Sequence, residues 1–203
     1  FGGSRGKGSA VLNDLWKYDM GANQWTWVKG PNTIKDAGNY GAKCVSTNNN
    51  LPRSRYENRA RVRDGCGNFW NFGGGKFDFL FPSLLNDLWH YNVSTSQWTW
   101  VNGDNIFGQV FGVQGVSSPS NKPGAKMGNV AWIDNKGYIW VFGGYDAGSI
   151  NGDPPHNDLF RYVPDPACVP WSAAAVTAFS NTTICNGQSA TLTASGGTSY
   201  VWS

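Results

Sequence analysis

Arg59, Arg61 and Arg63 stand at alternate positions with Ala60 and Val62 between them, a spacing that on an extended strand turns three guanidinium groups to one face. Planar donors in such a row can grip a carboxylate, a phosphate or an acidic sugar, which makes the trio the candidate binding site of this chain. Glu57 and Asp64 flank it, so internal ion pairs are the plainer alternative. Metal chemistry has less to work with. Neither of the two histidines, His90 and His156, has a set of converging ligands of the kind a zinc or copper site needs. The four cysteines form no Cys-x-x-Cys pattern, and no metal, cofactor or catalytic residue is expected. His90 reads as an exposed structural residue. His156, in Asp153-Pro154-Pro155-His156, reads as a loop residue without a partner.

Asp14, Asp87 and Asp158 each follow an asparagine, Asn13, Asn86 and Asn157. An active site needs one constellation, so a triplicate points instead to side chains that bond turn backbone. Cys44 and Cys66 occur together in one repeat, at positions that Gly115 and Lys136 hold in the next. Their joint gain predicts a Cys44–Cys66 disulfide, closing a loop of about 22 residues for roughly 3 kcal/mol and implying an oxidising compartment. Two free thiols are the alternative. Cys185 is left to bond Cys168 or a later cysteine outside this sequence.

The elements that must position these residues come in repeats. Phe-Gly-Gly begins at Phe1, Phe72 and Phe142, Asn-Asp-Leu at Asn13, Asn86 and Asn157, and Gln-Trp-Thr-Trp-Val at Gln24 and Gln97 only. Self-similarity at one fixed period means one supersecondary unit used several times. In the third copy, Gly128 to Trp132 and Tyr138 to Phe142 read as strands joined by the turn Asp134-Asn135-Lys136-Gly137. Later in the second copy come Leu88 to Tyr91, a polar turn, and Trp98-Thr99-Trp100. Four strands and three turns make one antiparallel unit. Trp98 and Trp100 share a face and are core, each worth about 4–6 kcal/mol of burial as an upper estimate. When the second and third copies are aligned, Arg59, Arg61 and Arg63 fall on Asn129, Ala131 and Ile133, so the fold itself does not require the arginines.

Composition agrees with turns and aromatic strands. The 203 residues include 27 Gly, 11 Trp, 11 Phe and 8 Tyr, suited to turns and pleated surfaces. A net charge of +3 without a run of Lys and Arg argues against a nucleic-acid partner. No apolar run approaches the length of a membrane span, so no direct membrane insertion is expected.

A Gly-Gly doublet closing the second strand, an aromatic residue in the third and a tryptophan in the fourth resemble kelch repeats. The resemblance covers residues 1–163 and implies an all-β chain holding about three blades of a kelch-type β-propeller. The connections 28–53 and 101–122 are longer than kelch units have, and Gly-Ala-Lys-Cys-Val-Ser (41–46) echoes Gly-Val-Gln-Gly-Val-Ser (112–117). Such long-looped repeats resemble modules of large bacterial surface proteins. Galactose oxidase shares the propeller and holds copper through Tyr and His, a ligand set this chain does not repeat. Residues 164–176 read as a Pro-rich linker, and 177–203, with Ser189 to Ala194 alternating and Trp202 as core indole, resemble the first strands of an immunoglobulin-like module.

The resemblance implies a non-catalytic, exported or cell-surface protein that binds a protein or glycan partner through propeller loops. Proteins of this arrangement often end in a type IX export signal. The alternatives are a surface-layer or filament subunit assembled through homotypic contacts, and a carbohydrate-active or oxidase enzyme whose site lies in blades outside this sequence. The third copy runs into Pro164 and Pro166 where a Trp-x-Trp strand belongs. Because natural sheets protect their edges, this blade is expected to be the last of its ring and to borrow an outer strand from upstream of Phe1. The rival closure is Cys168 to Val176 turning back as that strand.

Overall fold

The computed structural model describes residues 1–5, 10–78, 81–104, 109–146, 152 and 154–169. The compact unit they belong to runs Phe1–Val169. The expected immunoglobulin-like strands at 177–203 lie outside the described residues.

The fold is all-β, with four small antiparallel sheets and no helix among the described residues. In the first repeat, β1 (Gly3–Ser4) pairs with β2 (Val11–Leu12), and β3 (Leu15–Asp19) pairs with β4 (Gln24–Lys29). The second repeat is a single sheet in the order β5 (Arg61–Arg63), β6 (Phe69–Asp78), β7 (Phe81–Asn92), β8 (Gln97–Asn102). The third repeat pairs β9 (Val130–Ile133) with β10 (Ile139–Gly144), and β10 with β11 (His156–Tyr162).

Register shows that these are copies. Gly3 lies opposite Leu12, Gly74 opposite Leu85 and Gly144 opposite His156. Trp16 opposes Trp27 as Trp89 opposes Trp100, and Arg61 opposes Asn71 as Ala131 opposes Val141. The slip between Phe72 and Gly74 recurs between Phe142 and Gly144. Gly73 explains why that bulge keeps its glycine: its φ is 64°, and a Cβ there would lie 2.6 Å from the Lys126 carbonyl oxygen. The first hairpin is held by an acid. Asp64 Oδ1 accepts from the Cys66 and Asn68 amides at 3.0 and 2.9 Å, and Asp134 does the same for Lys136 and Tyr138.

The long connections also fold alike. Asn39 pairs with Leu51 and Val110 with Lys122, while Asn50 and Asn121 each cap their own loop through the carbonyls of Val45 and Val116. The first connection lies along β8, where the Cys44 amide donates to the Trp100 carbonyl at 2.8 Å and Asn50 Nδ2 donates to that of Trp98 at 3.0 Å. Two apolar layers result. Trp89, Tyr91 and Trp98 are buried under Phe1, Leu15, Val28, Tyr40 and Leu51 of the first repeat and its loop. Trp70, Phe72, Leu88 and Val101 pack with Ile139 and Val141 of the third.

Two expectations need correction. Cys44 bonds Cys168, not Cys66, across a sequence separation of 124; Cys66 is in a different disulfide. The loop that lies on β8 holds Cys44 away from the Asp64 hairpin and beside the segment that follows β11. That segment is no free linker at its start either. Cys168 and Val169 are buried in the layer between the second and third repeats, so the chain stays with the folded body beyond the expected boundary at 163.

Among the described residues no strand pairs with the outer edge of β11, and the described part of the rival closing span, Cys168–Val169, forms no strand. The unpaired backbone predicts a measurable contrast. Outward-facing amides of β11 should exchange with deuterium at least tenfold faster than those of β7, which is paired on both sides. A peptide of the sequence of residues 96–102 should slow that exchange if a Trp-x-Trp strand is what the edge accepts. Equal protection of β11 and β7 without peptide would show that the edge is already covered.

Candidate functional site

Arg61 and Arg63 lie on β5, the short first strand of the second repeat, and both are exposed. Register puts them on the same sheet face as Asn71, Phe69, Trp89 and Tyr91, the face turned toward the first repeat. Their counterparts Ala131 and Ile133 pack into the layer between repeats two and three. Where the third repeat uses apolar residues to bind its neighbour, the second presents guanidinium groups. Arg61 Nη1 stands 3.4 Å from the Phe1 carbonyl oxygen, and Arg63 lies over the turn at Gly67. Neither has an ion-pair partner among the described residues.

Arg59 does not join them. It precedes β5 and forms a 2.8 Å ion pair with Glu57, the internal pairing that the flanking acids offered. The backbone explains why it falls out of the row. Tyr56 bridges Gly75 as Met127 bridges Tyr145, and Gly74 abuts Asn58 as Gly144 abuts Asn129. Asn58 is therefore the counterpart of Asn129, and Arg59 is an extra residue without one. Asp64, the other flanking acid, is occupied by its hairpin amides and the Trp70 indole. A cavity of about 300 Å³ opens beside this face, lined by Phe1 to Ser4, Tyr56, Asn58, Arg61 and the Arg59–Glu57 pair. Its lining sets the guanidinium groups of Arg59 and Arg61, the former paired with Glu57, against the segment Phe1 to Ser4.

The histidines differ from expectation. His90 is buried, not exposed. Its ring lies 4.6 Å from that of Trp70, with Nε2 3.6 Å from Asp64 Oδ2. Arg161 fills the same place in the third repeat, over Trp140 and Tyr138. The position selects a group that can sit on an indole, and the third repeat covers it in one copy only. His156 is not in a loop: it begins β11, with Nε2 2.8 Å from Asp146 Oδ2. Among the described residues no three potential metal ligands converge.

The recurring aspartates are structural, but their partners are side chains rather than turn backbone. Asp87 is fully buried and accepts a bidentate pair of 2.8 Å bonds from Arg55, the Tyr40 hydroxyl at 2.6 Å and the Trp89 indole at 2.7 Å. Burial works against its charge, yet the Arg55 guanidinium and these hydrogen bonds outweigh it and hold the carboxyl below its ordinary range. Burial first, and the Asp87 charge second, push the Tyr40 phenol up. Asp158 pairs in the same way with Lys126. Sequence reasoning missed Arg55 and Lys126, although both share the spacing Pro-x-x-Arg or Pro-x-x-Lys, from Pro52 and Pro123. No protein-family model matches this chain, and none of the curated proteins compared with it is significantly similar.

Proposed function

We propose that the chain is part of a kelch-type β-propeller of an exported protein, and that it binds the acidic groups of a glycan or protein partner without catalysing a reaction. The observation that carries the reading is the pair Arg61 and Arg63, two exposed guanidinium groups on one strand face, the first of them lining a cavity, at positions where the neighbouring repeat has Ala131 and Ile133. Guanidinium groups form their strongest hydrogen bonds to carboxylate and phosphate oxygens, so an acidic ligand is the chemistry this face suits. The propeller reading is supported by three copies with one register and by the four-stranded sheet of the second repeat. Export is supported by the Cys44–Cys168 disulfide and is compatible with the described residues containing no helix able to cross a membrane.

Titration of the full chain with polygalacturonate, at about 0.05 and 0.3 M salt, tests the reading. Arg61→Ala should weaken binding about tenfold at the lower salt, and the difference should shrink at the higher. Binding that is absent, or unchanged in an Arg61→Ala/Arg63→Ala variant, overturns the assignment of this face.

A further inference from the structure

Each internal junction is closed by one short loop segment that holds two repeats at once. At the first junction the Pro52 carbonyl accepts from Asn13 Nδ2 at 3.0 Å, and Arg55, close behind it in the chain, pairs with Asp87 of the next repeat. At the second, the Pro123 carbonyl accepts from Asn86 Nδ2 at 3.4 Å, and Lys126 pairs with Asp158. Pro-x-x-Arg or Pro-x-x-Lys is thus a latch: it takes the asparagine of the repeat behind it and the aspartate of the repeat ahead.

The first repeat carries the receiving half of such a latch with no cation in it among the described residues. Asp14 accepts the Trp16 indole at 2.7 Å, as Asp87 accepts that of Trp89, but no Lys or Arg pairs with it among the described residues. The aromatic face beside it is bare. Trp25 is 66% exposed, whereas its counterpart Trp98 is 1%; Trp16, Tyr18 and Trp27 are exposed too. A second copy of this chain does not fit, because Arg55 and Lys126 are already engaged and residues 162–169 contain no Lys or Arg.

We infer that this face, Trp16, Tyr18, Trp25 and Trp27 around Asp14, is the docking surface for one further repeat of the same kind, joined ahead of Phe1 and recognised by a Pro-x-x-Arg/Lys latch. The latch cation belongs to the chain just before the repeat it holds. Arg55 precedes the Phe-Gly-Gly that begins at Phe72, and Lys126 precedes the one that begins at Phe142. The partner of Asp14 therefore belongs as far ahead of Phe1 as Arg55 stands ahead of Phe72. The inference rests on the register of the repeats and stands whether or not Arg61 binds an acid.

The test is a chain in which residues 1–71 are repeated ahead of Phe1, so that a second Arg55 precedes Phe1 as the first precedes Phe72. Tryptophans of the added copy at the positions of Trp16, Trp25 and Trp27 are changed to Phe, so that oxidation read by mass spectrometry reports only the original three. Their oxidation should slow about tenfold or more relative to the 203-residue chain. Asp14→Ala, or Ala at the added Arg55, should restore most of the rate while the Cys44–Cys168 bond and the fold of the second repeat persist. Unchanged oxidation in the extended chain overturns the docking surface. Protection that survives both alanine variants overturns the latch as what recognises it.

Discussion

A Cys44→Ala/Cys168→Ala variant should lose about 5 kcal/mol of stability against the oxidised protein, the chain-entropy estimate for cross-linking residues this far apart. The two cysteines are 124 residues apart, so without the bond the unfolded chain regains the conformational freedom that closing so large a loop removes. For a domain of this size that corresponds to a fall in Tm of about 10–20 °C. The loss should be local as well as global. Cys168 and Val169 would no longer be held in the layer with Trp70, Phe72 and Val141, and residues 163–169 should become the first site of limited proteolysis. Differential scanning calorimetry and peptide mapping of the unreduced protein check both parts. A Tm within about 3 °C of the parent, or a map joining Cys44 to Cys66, would refute the expectation.

Asp87→Ala should cost about 3–5 kcal/mol, the range for breaking a buried pair by removing one partner. Arg55 and Asp87 are both wholly shielded from solvent, so the truncation leaves an uncompensated guanidinium, together with the Tyr40 hydroxyl and the Trp89 indole that also donate to this carboxylate. The same site sets an acid limit. Because its pKa is depressed in the folded state, the stability that Asp87 contributes is fully present above the unfolded value of about 3.9 and is lost as pH falls through the lower folded value. Urea titrations from neutral pH down to about pH 2 should therefore show a steeper acid loss in the parent than in Asp87→Asn, whose side chain does not titrate. Parallel slopes would remove Asp87 from the acid transition. A replacement of both partners by apolar residues should be far milder than either single change, because no charge is then stranded.

The sequence by itself determined what is local. The hairpin at Asp134 to Gly137, the β10 strand ending in Gly143-Gly144 and the burial of Trp98 follow from alternation, turn chemistry and left-handed glycines, all of which act within a short stretch of chain. Repetition also separated Arg61 and Arg63 from positions the fold requires, since the next copy has Ala131 and Ile133. Only the tertiary structure decided the partners that distant segments bring. Cys44 meets Cys168 because its loop lies on β8, a docking invisible in the spacing of the cysteines. His90 is buried because the third repeat covers Trp70, while the equivalent Arg161 faces outward. Arg59 leaves the row because one extra residue precedes β5, which shifts its side chain to Glu57. Arg55 and Asp87 find each other across 32 residues, and a contact of that range depends on how two sheets stack, which no window of sequence contains.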